Sequence, residues 1–445
     1  MLSDKYKGLW ITGLLFFIAF GIGLLYLKSY GVPYFSSPDG LLYSNIAENF
    51  LQGHGLVNTI GNDGILRPRD YVVGPIYPLI LAFVYGMFGL KSYGMVVVLH
   101  AVINAASAVL AYKTGELLFG KVYAWIPYIL TLGYPLFAFW GMYILTEATY
   151  VFTITLFLYL LVLYAKEIKR PKIRTLVIIG AVIGFSILVK PFLLLIFPVL
   201  GFWILWMQGW RLNKALRDFC LIVLMTIIVM SPWWIRNEVK YHQFFEVTNY
   251  GKYEFYLGNN PLTITDHYFV FEQPSYDPEV KARIDKLPIP EQEKEYKQLA
   301  VSYILLHPVL FLQRTLAKET NLFWQPVLPI EGLAYKMQGN ALDKWYLILG
   351  LMGVILSFFQ LKKFSFILLF TGYYSFLVSM ITVVSGARYR LPVMPAMILF
   401  GSLVVVMALK GIAKLSSINR RKGRVWALTL IDIKVSVFSC LLYRF

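Results

Sequence analysis

Thr175-Leu-Val-Ile-Ile-Gly-Ala-Val-Ile-Gly-Phe-Ser-Ile-Leu-Val-Lys190-Pro-Phe-Leu-Leu-Leu-Ile-Phe-Pro-Val-Leu-Gly-Phe-Trp-Ile-Leu-Trp-Met207 is a run of thirty-three residues with one charge, Lys190, near its middle. As a single helix it would be about 50 Å long at ~1.5 Å per residue. That exceeds the ~30 Å hydrocarbon core of a bilayer even when the helix is tilted. The run therefore reads as two membrane helices, about 175–189 and 191–207, meeting at a turn at Lys190-Pro191. Proline interrupts a helical ladder, and a charge is tolerated where the chain reaches the water boundary.

The rest of the chain has the same character. Of its 445 residues, 58% are hydrophobic and 15% charged, against roughly 45–50% and about 25% in soluble domains. A soluble protein of this composition could not cover its surface, so the surrounding medium is lipid. The run Leu9 to Leu27 follows Lys5 and Lys7 and resembles a signal peptide. However, it exceeds the usual apolar length, and Lys28-Ser29-Tyr30 offers no small-residue cleavage site, so it reads as a retained first helix. The net charge of +17 is spread over short loops rather than gathered on one domain. It fits the retention of Lys and Arg on the cytoplasmic side, and no nucleic-acid partner is expected. Cys220 and Cys440 lie in or beside apolar runs and suggest neither a disulfide framework nor a metal site.

Basic clusters at Lys5/Lys7, Lys113/Lys121, Lys166 to Arg174, Arg211 to Arg217, Lys362/Lys363 and Lys410 to Arg424 impose a parity. If all are cytoplasmic, an even number of crossings separates each neighbouring pair. Three apolar stretches (9–27, 75–89 and 94–112) lie between the first two clusters, so one of them does not cross. The stretch Pro75 to Gly89 is short, opens on prolines and carries aromatic residues, which suits a helix lying in the interface. Helices at 121–140, 142–165, 175–189, 191–207, 218–235, 345–360, 364–384 and 391–409 complete a count of ten. An eleventh stretch, 425–443, contains Asp432 and Lys434 and reads equally as interfacial. The fold class is an all-α polytopic membrane protein. Its expected parts are a transmembrane module 1–236, an outer region 237–343, further helices at 344–410 and a basic cytoplasmic segment 411–445.

This threading places unusual polar residues on one side. In the first outer loop, about 29–74, apolar Leu42, Ile46, Ala47, Phe50 and Leu51 recur at helical spacing behind Pro38-Asp39, predicting an amphipathic helix on the membrane. Asp39 would equally suit its N-cap. Glu147 falls at the outer end of helix 142–165, where the helix dipole favours a carboxylate. Lys190 lies at an outer turn, and Arg236-Asn237 and Arg388-Tyr-Arg390 fall at outer helix ends. Each cation alone would snorkel to headgroups. Gathered together, carboxylates and cations suit a site that deprotonates a hydroxyl and stabilises a departing phosphate.

The order Pro38-Asp39, Gly74-Pro-Ile-Tyr-Pro78, Leu145-Thr-Glu147, Val189-Lys-Pro191, Ser231-Pro-Trp-Trp-Ile-Arg-Asn237 and Arg388-Tyr-Arg-Leu-Pro-Val-Met-Pro395 resembles the GT-C superfamily. Within it, the likeness is to the protein O-mannosyltransferase and lipid A aminoarabinose transferase group, over nearly the whole chain. The resemblance implies a GT-C-like fold with interfacial helices in the first outer loop. It also implies an inverting glycosyltransferase that uses a polyprenyl-phosphate-linked sugar donor and a lipid, glycan or protein acceptor. Its setting would be the plasma (inner) membrane, with the active site facing the extracytoplasmic side.

On this reading Asp39 and Glu147 are the catalytic acids. Lys190, Arg236, Arg388 and Arg390, with Arg67 and Arg69, would bind the donor phosphate, while Tyr43, His54, Tyr77, Asn237 and Tyr389 would line the cavity. Should the reaction use a divalent metal cation, Asp39 and Glu147 would hold it. Three features depart from the group. Val73-Gly74 stands where the aminoarabinose transferases have a Lys, Gly40 stands where many relatives carry a second acid, and no large soluble C-terminal domain is present. The stretch Tyr250 to Pro261 in the outer region reads as a lid, an acceptor platform or an ordinary loop. The rival reading is a transporter or lipid flippase, which would place ionisable groups near the midplane and show internal repeats.

Overall fold

The computed structural model describes residues 2–30, 37–58, 73–242, 244–263, 276–324, 339–382 and 386–421. Arg67, Arg69 and the stretch 425–443 lie outside these residues. All regular structure among the described residues is helical, as lipid demands of a chain that must satisfy its own backbone.

The helices run α1 (Leu2–Tyr30), α2 (Pro38–Leu51), α3 (Ile76–Phe88), α4 (Tyr93–Phe119), α5 (Trp125–Leu132), α6 (Pro135–Gly141), α7 (Glu147–Lys166), α8 (Ile173–Val189), α9 (Phe197–Met207) and α10 (Leu212–Tyr241). There follow α11 (Gly251–Gly258), α12 (Pro278–Ile284), α13 (Ile289–Leu306), α14 (Pro308–Trp324), α15 (Gly339–Ser357), α16 (Leu361–Ile381), α17 (Ala387–Arg390) and α18 (Met394–Arg421).

Six described segments are long and apolar enough to cross a membrane, or up to eight counting bent pairs. That is fewer than the ten expected: α8 and α9, with 17 and 11 residues, are too short to count by length, and the helices expected at 345–360 and 364–384 fall in one 40-residue segment. The helix expected at 121–140 is broken into α5 and α6 with a bend of 49°. Pro135 opens α6 there, and it has no N–H to continue the ladder. The 33-residue run divides as its length required: α8 ends at Val189, Lys190 is extended, and Pro191 starts a short turn.

The predicted interfacial elements take short helical form. At 13 residues, α3 reaches about 20 Å, too little for the hydrocarbon core. It packs against α2, α4 and α8. The N-cap of α2 is Ser37, whose Oγ accepts the Gly40 N–H, so Asp39 does not cap the helix and its carboxylate is available elsewhere. Ile46 and Ala47 of α2 are buried, whereas Phe50 and Leu51 are exposed.

The core is a bundle in which α4 packs along α7, α8 along α10, and α15 along α18. Residues 244–263 and 276–324 carry α11 to α14, with Tyr256, Ile284, Tyr296 and Ala300 forming a separate small core.

Candidate active site

The α2 helix approaches the turn before α7 because residue 40 is glycine. A Cβ there would sit 2.8 Å from the Ile144 carbonyl oxygen, closer than such atoms pack. Likewise, a Cβ on Gly74 would lie 2.2 Å from the Leu188 carbonyl oxygen, so the chain entering α3 presses against the end of α8. The two departures from the family pattern are thus contact points. A second acid at 40 would have no room, and Gly74 seats α3 beside Lys190. We expect Gly74→Val to separate α3 from α8 and to lower thermal stability; unfolding measurements on the purified protein check this.

These approaches bring four side chains from four segments together. Lys190 Nζ donates to Glu147 Oε1 at 2.7 Å. Arg388 Nε donates to the same oxygen at 2.5 Å, while its Nη1 donates to Asp39 Oδ2 at 2.8 Å. The guanidinium therefore bridges the two carboxylates, as its fixed fork of donors allows. The acids differ in access. The Glu147 side chain is 2% exposed, Lys190 15% and Arg388 25%, but Asp39 is 50% exposed. Glu147 is the buried counter-charge that holds both cations, and Asp39 is the acid that faces open space.

The other expected residues divide. Tyr43 and Tyr77 pack edge to face with ring centroids 5.2 Å apart, next to this cluster. Tyr77 is fully buried, and its hydroxyl meets His100 Nε2 at 3.3 Å. Tyr389 packs on Phe192, which lies just past Lys190. His54 is exposed beyond the end of α2.

Arg236 and Arg390 make contacts other than with this cluster. Arg236 donates to the Leu56 carbonyl at 2.6 Å and to Asn237 Oδ1 at 2.8 Å, over the Trp233 ring, so it ties α10 to the chain after α2. Asn237 is fully buried in that contact. Arg390 is fully buried, paired with Asp343 and donating to the Leu322 carbonyl at 2.8 Å and the Phe323 carbonyl at 3.0 Å. Its charge is neutralised within the bundle, where Tyr134 also donates to Asp343 at 2.8 Å. Two residues apart on a helix, Arg388 and Arg390 project about 200° apart, so one faces the site and the other the core.

Two residues of the outer stretch Tyr250 to Pro261 lie within electrostatic reach of the site. Tyr250 and Glu254, at the start of α11, feel the charge of Asp39. Burial first, then the Asp39 carboxylate, raises Glu254 above the usual carboxylate range. Burial first, then Glu254 and Asp39, raises the Tyr250 phenol. The aromatic stretch Tyr250-Gly-Lys-Tyr-Glu-Phe-Tyr marks the region, but no local pattern marks Glu254 as within electrostatic reach of Asp39.

The carboxylates do not suit a divalent cation as they stand. Glu147 Oε1 already accepts from two cationic groups, and a dication there would meet both positive charges. Among the described residues no group of three or more His, Cys, Asp or Glu side chains could hold a metal ion.

Comparison with known proteins agrees with the architecture. Residues 72–235 match the family described as dolichyl-phosphate-mannose-protein mannosyltransferase. No curated protein matches the sequence. The fold resembles the archaeal oligosaccharyltransferase AglB from Archaeoglobus fulgidus in complex with an inhibitory peptide and a dolichol-phosphate. The TM-score is 0.60 at 12% identity, covering 98% of this chain and 54% of that one. A second structure of the Archaeoglobus fulgidus oligosaccharyltransferase, tethered to an acceptor peptide, gives a TM-score of 0.54 at 12% identity over 97% of this chain and 53% of that one. This chain thus spans about half the length of that enzyme. The undecaprenyl-phosphate-bound ArnT from Cupriavidus metallidurans aligns at 15% identity and TM-score 0.46, covering 88% of this chain and 77% of that one. The chain is a multi-pass helical membrane protein whose fold resembles that of the archaeal oligosaccharyltransferase, and its residues 72–235 are similar to the dolichyl-phosphate-mannose-protein mannosyltransferases.

Proposed function

We propose that this protein is an inverting glycosyltransferase that moves a sugar from a polyprenyl-phosphate carrier to a hydroxyl acceptor at the extracytoplasmic face of the plasma membrane. The observation that carries the reading is the constellation of a half-exposed Asp39, the bridging Arg388, the buried Glu147 and Lys190. These four groups come from four segments that the distribution of Lys and Arg assigns to the outer side.

In the proposed reaction, the acceptor oxygen attacks the anomeric carbon from the face opposite the phosphate. The hydroxyl proton passes to Asp39 as general base. The bond between the anomeric carbon and the phosphate oxygen breaks, and its electron pair leaves on that oxygen. Phosphate leaves well without protonation, so a second acid has no proton to give. Glu147 instead fixes Lys190 and Arg388, whose remaining N–H donors face the developing phosphate charge. Only one oxygen of Glu147 binds both cations, so each cation retains donors for the leaving group. The polyprenyl tail would lie among the lipid-facing helices.

A transfer assay tests this reading. Radiolabelled polyprenyl-phosphate sugar is incorporated with the purified protein into right-side-out vesicles, and a membrane-impermeant hydroxyl acceptor is added outside. Label should appear on the acceptor with the opposite anomeric configuration. Movement of a solute or an intact carrier across the bilayer, with no glycosidic product, would support the transporter reading instead.

A further inference from the structure

A single turn of helix carries the bridging arginine. In α17 (Ala387–Arg390) the Tyr389 and Arg390 N–H groups donate to the Gly386 carbonyl at 2.9 and 3.2 Å. One turn fixes several dihedrals for little hydrogen bonding and does not hold its shape unaided. Its direction is therefore set by its side chains. Arg388 reaches Glu147 on α7 and Asp39 on α2. Tyr389 packs on Phe192. Arg390 projects away from the site and is fully buried.

The Arg390 guanidinium ties this turn to two other helices. Its Nη1 donates to the Leu322 and Phe323 carbonyls at 2.8 and 3.0 Å. Both carbonyls lie in the last turn of α14, where intrahelical donors run out and the helix dipole favours a cation. Its Nη2 donates to Asp343 Oδ2 on α15. The other oxygen of Asp343 accepts from the Tyr134 hydroxyl at 2.8 Å, at the start of α6. The Tyr134 ring also packs against Tyr346, one turn along α15, with centroids 5.1 Å apart. Arg390, Asp343 and Tyr134 are all buried. Stability gives such a pair little advantage, since apolar side chains of similar volume often serve a fold as well or better. Direction is what a guanidinium adds, because its planar fork matches only a narrow set of partner positions.

Resting on the glycosyltransferase reading above, we propose that Arg390 and Asp343 are positioning residues: their buried pair fixes the direction of α17 and so holds Arg388 across Asp39 and Glu147. The Arg388 contacts, 2.5 and 2.8 Å long, reach two different helices. A shift of α17 by about 1 Å would stretch at least one of them beyond hydrogen-bond length. Arg388 must also turn donors to the leaving phosphate, which competes with the carboxylates for the same guanidinium. With Arg390 anchored, the backbone at Arg388 stays in place while those partners exchange.

The test uses Arg390→Lys and, as a milder change, Tyr134→Phe, each alone and combined with Arg388→Lys, in the vesicle assay. A lysine keeps the charge beside Asp343 but cannot span the carboxylate and both carbonyls. Tyr134→Phe removes only the hydroxyl from Asp343. Arg390→Lys should lower kcat by about 10²-fold, the scale of a 1 Å misplacement, and leave the acceptor KM unchanged. Tyr134→Phe should show the same pattern with a smaller loss. Added to Arg388→Lys, neither should lower transfer further, because residues that act through one group are not additive. Losses that multiply in the double variants, an acceptor KM that rises as kcat falls, or full transfer by Arg390→Lys overturns the proposal. Should Arg390→Lys fail to fold, Tyr134→Phe decides by the same comparison. A wild type with no transfer overturns the parent reading and this one with it, whereas normal wild-type transfer with multiplying losses overturns only this one.

Discussion

Asp39→Asn is expected to lower sugar transfer by about 10²–10⁴-fold, the usual contribution of a positioned general base, while donor binding and folding persist. The substitution preserves shape, and the asparagine Oδ1 still accepts from Arg388 Nη1 where the carboxylate now accepts at 2.8 Å. What disappears is the capacity to take a proton. The helix should be indifferent, because Ser37 rather than Asp39 provides the cap of α2. Turnover should therefore fall with little change in the affinity for the polyprenyl-phosphate sugar, which equilibrium binding of the labelled donor measures alongside turnover. Wild-type turnover in Asp39→Asn would remove this residue from the chemistry.

Glu147→Gln should act differently, through stability. Its side chain is 2% exposed and one oxygen holds both Lys190 and Arg388. Removing the charge leaves Lys190 without a counter-ion and Arg388 with Asp39 alone. Breaking one side of such a buried pair costs about 3–5 kcal/mol. A loss of that size should appear as a large drop in thermal unfolding temperature in detergent, together with lost transfer. Adding Lys190→Met to Glu147→Gln should recover part of the stability, since the stranded cation is then gone, while transfer stays low. Additive losses in the double variant would show that the two residues are not energetically coupled.

Particular residues mark how far the amino-acid sequence carries. The break at Lys190-Pro191 is legible in it because 33 apolar residues cannot span one bilayer, and α8 ends one residue before that lysine. The short, proline-led α3 is legible from the parity of basic clusters. Asp39, Glu147, Lys190 and Arg388 stand out because charged groups at helix ends in a membrane protein are few. Arg390 and Arg236 stand out on the same ground, yet they pack away from the cluster. Sequence position puts an arginine at a helix end, but helical register and neighbouring carbonyls decide which way it projects. Glu254 is inconspicuous for the opposite reason: it lies in a long polar region where acids are common.

From the sequence alone came the medium and the helical class, together with the expected side of each charged segment. These follow from transfer free energies and charge bias, which act locally along the chain. Only the tertiary structure decided that Asp39 and Glu147 share one guanidinium and that Gly40 and Gly74 are points of backbone contact. Those outcomes depend on ångström-scale packing between segments up to 349 residues apart, and no local pattern encodes such distances.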